Sequence, residues 1–173
     1  VLNSIINNDY DGIIIAYSCF EQIPISKEFI IEQLENKKSE LEQLLNQAGR
    51  ITAVSSRKKE YIERQLIETV SSFCDSFEKI CFDDLGITRL FVDEAHNFKN
   101  VFIDTKINGV LGISSTGSKK CKDMMDKVHI VQKQNDGKGV VFATGTPITN
   151  SITDVYVMQK YLQSGELALI ELQ

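Results

Sequence analysis

The sequence predicts an α/β fold: a parallel β-sheet flanked by helices, with an antiparallel helical hairpin inserted after the first strand. Three observations predict it. Three short runs are apolar at consecutive positions, the pattern of strands buried on both faces. The stretches between them carry apolar residues at helical spacing. Each run also ends in polar or small residues, and in open α/β sheets ligands bind just outside the carboxyl ends of parallel strands. The 173 residues suffice for one domain with a core and are too few for two full α/β domains.

In chain order, Val1 to Asn8 offers neither an initiator methionine nor a helix cap, so the chain reads as an excised piece of a longer protein. The first strand is Ile13-Ile14-Ile15-Ala16-Tyr17, introduced by the turn Asp11-Gly12. Residues 26–48 then place Ile30, Leu34, Leu41, Leu45 and Ala48 on one helical face, with Ser26 set to cap the start and Gly49 to end it. Residues 57–81 carry Ile62, Leu66, Val70, Phe73, Phe77 and Ile80 at spacings of four, four, three, four and three. Each stripe is heptad-like, as in coiled coils, and Gly49–Ser56 is the break between them. An antiparallel hairpin of roughly 34 Å per arm follows from the helical rise. Its charges nearly cancel, so its outer faces read as solvated. The cluster Arg57-Lys58-Lys59 supports the alternative of an arm that touches DNA or docks a partner.

The second strand is Leu90-Phe91-Val92, after Asp83-Asp84-Leu85-Gly86. An irregular stretch from Val101 to Gly117 precedes a helix over residues 118–132, whose apolar side is Met124, Met125, Val128 and Val131. The third strand, Val140-Val141-Phe142-Ala143, is introduced by Gly137-Lys138-Gly139. A last amphipathic helix covers residues 151–162, with Val155, Met158, Tyr161 and Leu162 as its buried stripe and Gly165 after its end. The division expected is a lobe of residues 1–25 and 82–173, with the hairpin at 26–81.

Composition narrows the function classes. A 42% hydrophobic and 25% charged chain is neither disordered nor collagen-like. No apolar run approaches the roughly 18–20 residues that span a bilayer. Nineteen basic against 24 acidic residues leave a net charge of −5, so no overall basic field recruits nucleic acid and any DNA contact must be local. Cys19, Cys74, Cys81 and Cys121 form no CxxC pair, and with His96 and His129 as the only histidines no zinc-ligand spacing can be assembled. Two disulfides are arithmetically possible, but reduced thiols in a cytoplasmic protein are the better reading. Cys121 lacks a visible acid–base partner, His129 reads as a packed or surface residue, and Met124-Met125 as core filler.

Two strand ends carry chemistry. Leu90-Phe91-Val92-Asp93-Glu94-Ala95-His96 delivers two adjacent carboxylates from an apolar strand, a costly placement unless a cation meets them. In phosphoryl transfer that cation is nucleotide-bound Mg²⁺, and a nearby carboxylate can orient the attacking water. Asp93 would serve the metal while Glu94 leans toward the γ-phosphate side. The second end, Thr144-Gly145-Thr146-Pro147-Ile148-Thr149-Asn150, sets two hydroxyls around a glycine, where they can hydrogen-bond to His96.

Phe91-Val92-Asp93-Glu94-Ala95-His96-Asn97-Phe98-Lys99-Asn100 resembles motif II, the Walker B segment, of superfamily-two helicases in their Swi/Snf-like branch. The later Thr-Gly-Thr-Pro-Ile-x-Asn resembles motif III. Nearly the whole chain is further similar to the helicase part of large phage and mobile-element proteins that join such a motor to an adenine-specific DNA methylase. Tyr10-Asp11-Gly12-Ile13-Ile14-Ile15, the helical insertion, and Thr153-Asp154-Val155-Tyr156 before Met158-Gln159-Lys160-Tyr161-Leu162-Gln163 carry that likeness. The resemblance implies part of the first RecA-like lobe, the P-loop NTPase fold, of a bacterial or phage-encoded motor that uses ATP and Mg²⁺ on DNA. Asp93 would hold Mg²⁺ through water, Glu94 would polarise the hydrolytic water, and His96 would couple nucleotide state to Thr144, Gly145 and Thr146. Tyr17, Ser18, Lys99 and Asn100 would lie near the nucleic-acid or interdomain face.

The chain departs from that family in lacking a GxxxxGK[ST] phosphate loop. Gly112-Ile113-Ser114-Ser115-Thr116-Gly117-Ser118-Lys119 has its serine and lysine in the wrong order and no strong strand before it, so it reads as a flexible loop. The arginine fingers of a second lobe are missing too. The phosphate loop is therefore expected upstream of Val1 and the second lobe downstream of Gln173, and the isolated chain should bind no nucleotide tightly and turn none over. The alternative from another class is a non-catalytic scaffold whose hairpin binds a partner or pairs with a second copy.

Overall fold

Where the backbone hydrogen bonds go explains the elements. The structure is a computed structural model describing residues 2–48, 53–71, 80–101, 117–149 and 151–171. Its helices are α1 (Leu2–Asn7), α2 (Tyr17–Phe20), α3 (Lys27–Ala48), α4 (Ala53–Ser71), α5 (Lys119–Gln134), α6 (Thr153–Leu162) and α7 (Ser164–Glu171). Its strands are β1 (Leu90–Val92) and β2 (Val140–Phe142), joined as a parallel two-stranded sheet. Chain contacts divide it into two units, Val1–Asn3 with Ile23–Asp84 and Ser4–Gln22 with Leu85–Gln173. No helix among the described residues is long and apolar enough to cross a membrane.

The first unit is built on the hairpin. Ser26 caps α3 as its sequence position predicts, its hydroxyl accepting the Phe29 N–H at 3.2 Å. Asp83 in turn accepts both the Ser26 amide (3.0 Å) and the Ser26 hydroxyl (2.9 Å). The pairs Lys38–Glu63 (3.1 Å) and Lys59–Glu42 (2.8 Å) run in opposite directions along α3 and α4, so the two helices are antiparallel. The 22 residues of α3 make it about 33 Å long. Lys59, one of the basic cluster, is committed to Glu42: their hydrogen bond pushes the Lys59 pKa up and the Glu42 pKa down. Exposed pairs of this kind add little stability. Phe29 and Ile62 lie in this unit's core with Ile23 and Phe82.

The second arm differs from its expected bounds of 57–81. It begins four residues earlier, at Ala53, and Cys81 is not helical. Asp84 explains the latter, because its carboxylate takes the Cys81 N–H at 2.7 Å and the chain closes into a 3₁₀ turn, Phe82–Leu85. Positions 72–79, Gly49 and most of the 101–117 stretch lie outside the described residues. Cys19 and Cys121 are free thiols, and Cys74 lies outside the described residues.

In the second unit the first expected strand is a correction. Residues 13–16 form no regular element, among the described residues no strand pairs with them, and Ile14 is fully exposed. Tyr17 instead opens a single helical turn, Cys19 and Phe20 both donating to the Ala16 carbonyl. A short apolar run reports burial only when a neighbour takes its hydrogen bonds. Residues 2–7, where no cap was visible, are helical all the same. β1 and β2 do form where expected, in the register Leu90↔Val140, Phe91↔Val141 and Val92↔Phe142. Burial on both faces does not hold: Val92 is 2% exposed but Phe91 is 73% exposed. Gly139 launches β2 at φ +97°, and a Cβ there would sit 2.8 Å from the Thr88 carbonyl oxygen, so glycine is required.

α5 is capped by Ser118, whose hydroxyl accepts the Cys121 N–H, and buries Cys121, Met124, Val128 and Val131. The buried stripe of α6 is Asp154, Val157 and Tyr161, not the expected Val155, Met158, Tyr161 and Leu162; only Tyr161 is common to both. α6 ends at Leu162 as expected, and Gly165, which follows its end, lies inside a further helix, α7. Tyr161 is fully buried, its hydroxyl proton shared between the carbonyls of Phe98 (3.1 Å) and Cys121 (3.0 Å). Burial, then the neighbouring Cys121, pushes its pKa far up. An acid whose folded pKa is raised stabilises the fold fully below its unfolded pKa and loses that contribution above it. The unfolding free energy from urea titration should therefore fall as pH rises past about 10, by up to about 1.4 kcal/mol per pH unit. Tyr161→Phe should show a shallower decline over the same range.

Candidate functional site

The carboxyl ends of β1 and β2 lie side by side because the ladder continues one step past each strand. The Ala143 N–H donates to the Val92 carbonyl (2.8 Å) and the Ala95 N–H to the Ala143 carbonyl (2.9 Å). Ala95 is wholly buried, so the chain must turn sharply to seat it. Glu94 makes that turn in the left-handed region, φ 47° and ψ 45°, which costs a residue with a side chain about 1–2 kcal/mol. Its amide is held by Asp93 Oδ1 at 2.9 Å, and its carbonyl accepts from the Asn97 backbone and side chain, both at 3.0 Å. The 3₁₀ turn Ala95–Phe98 follows.

His96 joins the two strand ends. Its Nδ1 lies 3.2 Å from Glu94 Oε2 and 3.2 Å from Thr144 Oγ1. A protonated Nδ1 donates to one of these oxygens or splits its hydrogen bond between them; an unprotonated Nδ1 accepts the Thr144 hydroxyl proton. The imidazole therefore links the Glu94 carboxylate to the threonine loop through one atom. Thr144 Oγ1 also accepts the Thr146 amide at 3.1 Å. Gly145 is exposed, and a Cβ there would meet open space.

Tyr17 arrives at the same place from α2. Its hydroxyl donates to the Asp93 carbonyl and its ring meets Phe98 edge-on at 5.1 Å. Burial, then the charges of Asp93 and Glu94, pushes its pKa up, a sign of negative potential at this turn. Ser18 is exposed on α2. Lys120, which the sequence did not single out, sets its ammonium 4.8 Å from the Phe98 ring centroid. The carbonyl of Asn100 accepts the Ser118 amide, tying the turn to the start of α5. Lys99, expected on an outer face, turns inward, its side chain 11% exposed, onto Thr146, Thr149 and Asp154. The chain thus brings Asp93, Glu94, His96, Thr144 and Tyr17 to one sheet end. Asn150 lies outside the described residues.

The profile of the family described as "Probable helicase domain" matches residues 1–173, the full length. The chain belongs to this probable helicase domain family. A curated relative, the "Defense against restriction protein B" of Escherichia phage P1, is 24% identical over 168 residues. The alignment covers 95% of this helicase-family chain but 8% of the phage protein, so the chain spans a small part of that relative's length. No solved structure matches the helicase-family chain.

Proposed function

We propose that this helicase-family domain is part of the first RecA-like lobe of a DEAH-type, Swi/Snf-like motor that hydrolyses ATP to translocate on DNA or remodel it. The observation that carries the proposal is the placement of His96 Nδ1 3.2 Å from both Glu94 Oε2 and Thr144 Oγ1, across the carboxyl ends of two adjacent parallel strands. That is where an open α/β sheet binds ligands, and a carboxylate so placed can orient the attacking water in phosphoryl transfer.

The donor set suits a magnesium–nucleotide. Asp93 is exposed at the turn, and among the described residues no lysine, arginine or histidine pairs with its carboxylate. Mg²⁺ keeps several waters and takes one or two carboxylates plus substrate phosphates. No cluster of three ligating side chains occurs among the described residues, so an all-protein cage is not offered. Magnesium bound there would neutralise charge on the phosphate oxygens. Asp93 would hold the ion, and Glu94 would orient and polarise the attacking water. His96 reports the state of Glu94 to the Thr144–Thr146 loop. Further polypeptide supplies the phosphate loop and the second lobe.

The test is DNA-stimulated ATP hydrolysis by the natural polypeptide that contains this chain. Stimulation that depends on Glu94 supports the proposal. A rate indifferent to both DNA and Glu94 overturns it in favour of a helicase-like scaffold.

A further inference from the structure

The line from Glu94 to Thr144 has two halves, and a second pair of residues fastens both. Lys99 ends the 3₁₀ turn that carries His96, and Asp154 lies in the first turn of α6. Between them runs the 143–149 loop, which secondary structure does not hold. The Lys99 ammonium donates to the Thr146 carbonyl (2.8 Å), to Asp154 Oδ2 (3.1 Å) and to Thr149 Oγ1 (3.3 Å). Three donors thus meet three acceptors. Asp154 Oδ2 also accepts the Thr149 amide (2.8 Å) and hydroxyl (3.0 Å). The two side chains are 11% and 9% exposed. A pair this sheltered persists only where further hydrogen bonds offset its desolvation, as they do here. α6 also grips the turn at a second point, where the buried Tyr161 hydroxyl reaches the Phe98 carbonyl.

We propose that Lys99 and Asp154 form a positioning strut that holds the 144–149 loop against the Asp93–His96 turn, and so sets the contact between Thr144 and His96. Resting on the motor reading above, the strut carries any displacement of that loop to the Glu94 carboxylate during turnover. Lys99 is then a positioning residue and not a nucleic-acid contact.

Two measurements test it. In the chain itself, the nuclear Overhauser contact between the His96 ring and the Thr144 methyl should be present in the wild type, lost in Lys99→Met and Asp154→Ala, and retained at least in part in Lys99→Arg. The Phe142–Tyr161 ring contact, 5.0 Å between centroids, shows whether the core remains folded. If either variant loses that core contact, Thr149→Val, which deletes one hydroxyl from the network, gives the same readout. Persistence of the His96–Thr144 contact in folded variants that lack the strut overturns the proposal.

In the natural polypeptide, Lys99→Met should lower kcat for DNA-stimulated hydrolysis about tenfold and leave KM for ATP within about twofold. A lost contact with unchanged kcat overturns the transmission role. Wild-type protein without stimulated hydrolysis removes the motor reading, and the magnetic-resonance result then decides the strut by itself.

Discussion

Glu94→Gln should lower DNA-stimulated ATP hydrolysis by about 10²–10⁴-fold, the range expected when a positioned base is removed. The substitution isolates charge from shape. Glutamine matches glutamate in size, and its amide oxygen can still face His96 Nδ1, which lies 3.2 Å from the native carboxylate. The side chain is 59% exposed, so loss of its charge should shift stability by no more than about 0.5 kcal/mol. The left-handed backbone at residue 94 is set by the buried Ala95 and its bond to Ala143, which the substitution leaves alone. A folded Glu94→Gln protein with wild-type turnover would show that the carboxylate does not activate water. Hydrolysis measured at saturating ATP and DNA, alongside a thermal unfolding curve, distinguishes lost chemistry from a lost fold.

The second large effect is on stability and comes from Lys127. This side chain is wholly buried, with its ammonium 2.6 Å from the Phe20 carbonyl, 2.7 Å from Asp123 Oδ2 and 4.4 Å from the Phe20 ring centroid. It anchors α2, the turn that presents Tyr17 to Asp93. Lys127→Met keeps the volume but leaves the Asp123 carboxylate without its ammonium, and should cost about 3–5 kcal/mol in urea unfolding at pH 7. Burial already pushes the Asp123 pKa up, with Lys127 opposing it, so losing the lysine should raise it further. A raised folded pKa means that the native state binds more protons, so stability falls as pH climbs above about 4. The variant should therefore be less impaired near pH 4 than near pH 7. Adding Asp123→Leu should recover more than half of the loss, since replacing both members of a buried pair by apolar groups is often near neutral. A loss under about 1 kcal/mol for Lys127→Met would rule out the anchor.

How far the site was legible follows from what each signal reports. Asp93, Glu94 and His96 could be placed because a strand exit fixes where its next residues go, and Thr144 because a parallel neighbour of similar length ends at the same level. Ser26 and Ser118 were legible or inferable as caps, since capping is decided within four residues. Lys99 and Lys127 were not, because a lysine reads as solvated until an acceptor elsewhere in the chain appears. Asp154 shifted the buried stripe of α6 for the same reason: periodicity counts apolar residues and misses an aspartate that is buried to serve an ammonium. Tyr17 was placed near the site but assigned to a strand, and its bond to the Asp93 carbonyl spans 76 residues of sequence.

Local chemistry along the chain determined the hairpin helices, the two paired strands and the acid–imidazole–hydroxyl set at their ends. Caps, periodicity and strand exits act over a few residues and can be read in order. Tertiary structure alone decided that residues 13–16 pair with no strand among the described residues, that Phe91 and Val141 are exposed, and that two lysines turn inward. Those outcomes depend on whether a distant strand, helix or carboxylate arrives to take a hydrogen bond or a charge, which residue order does not encode locally.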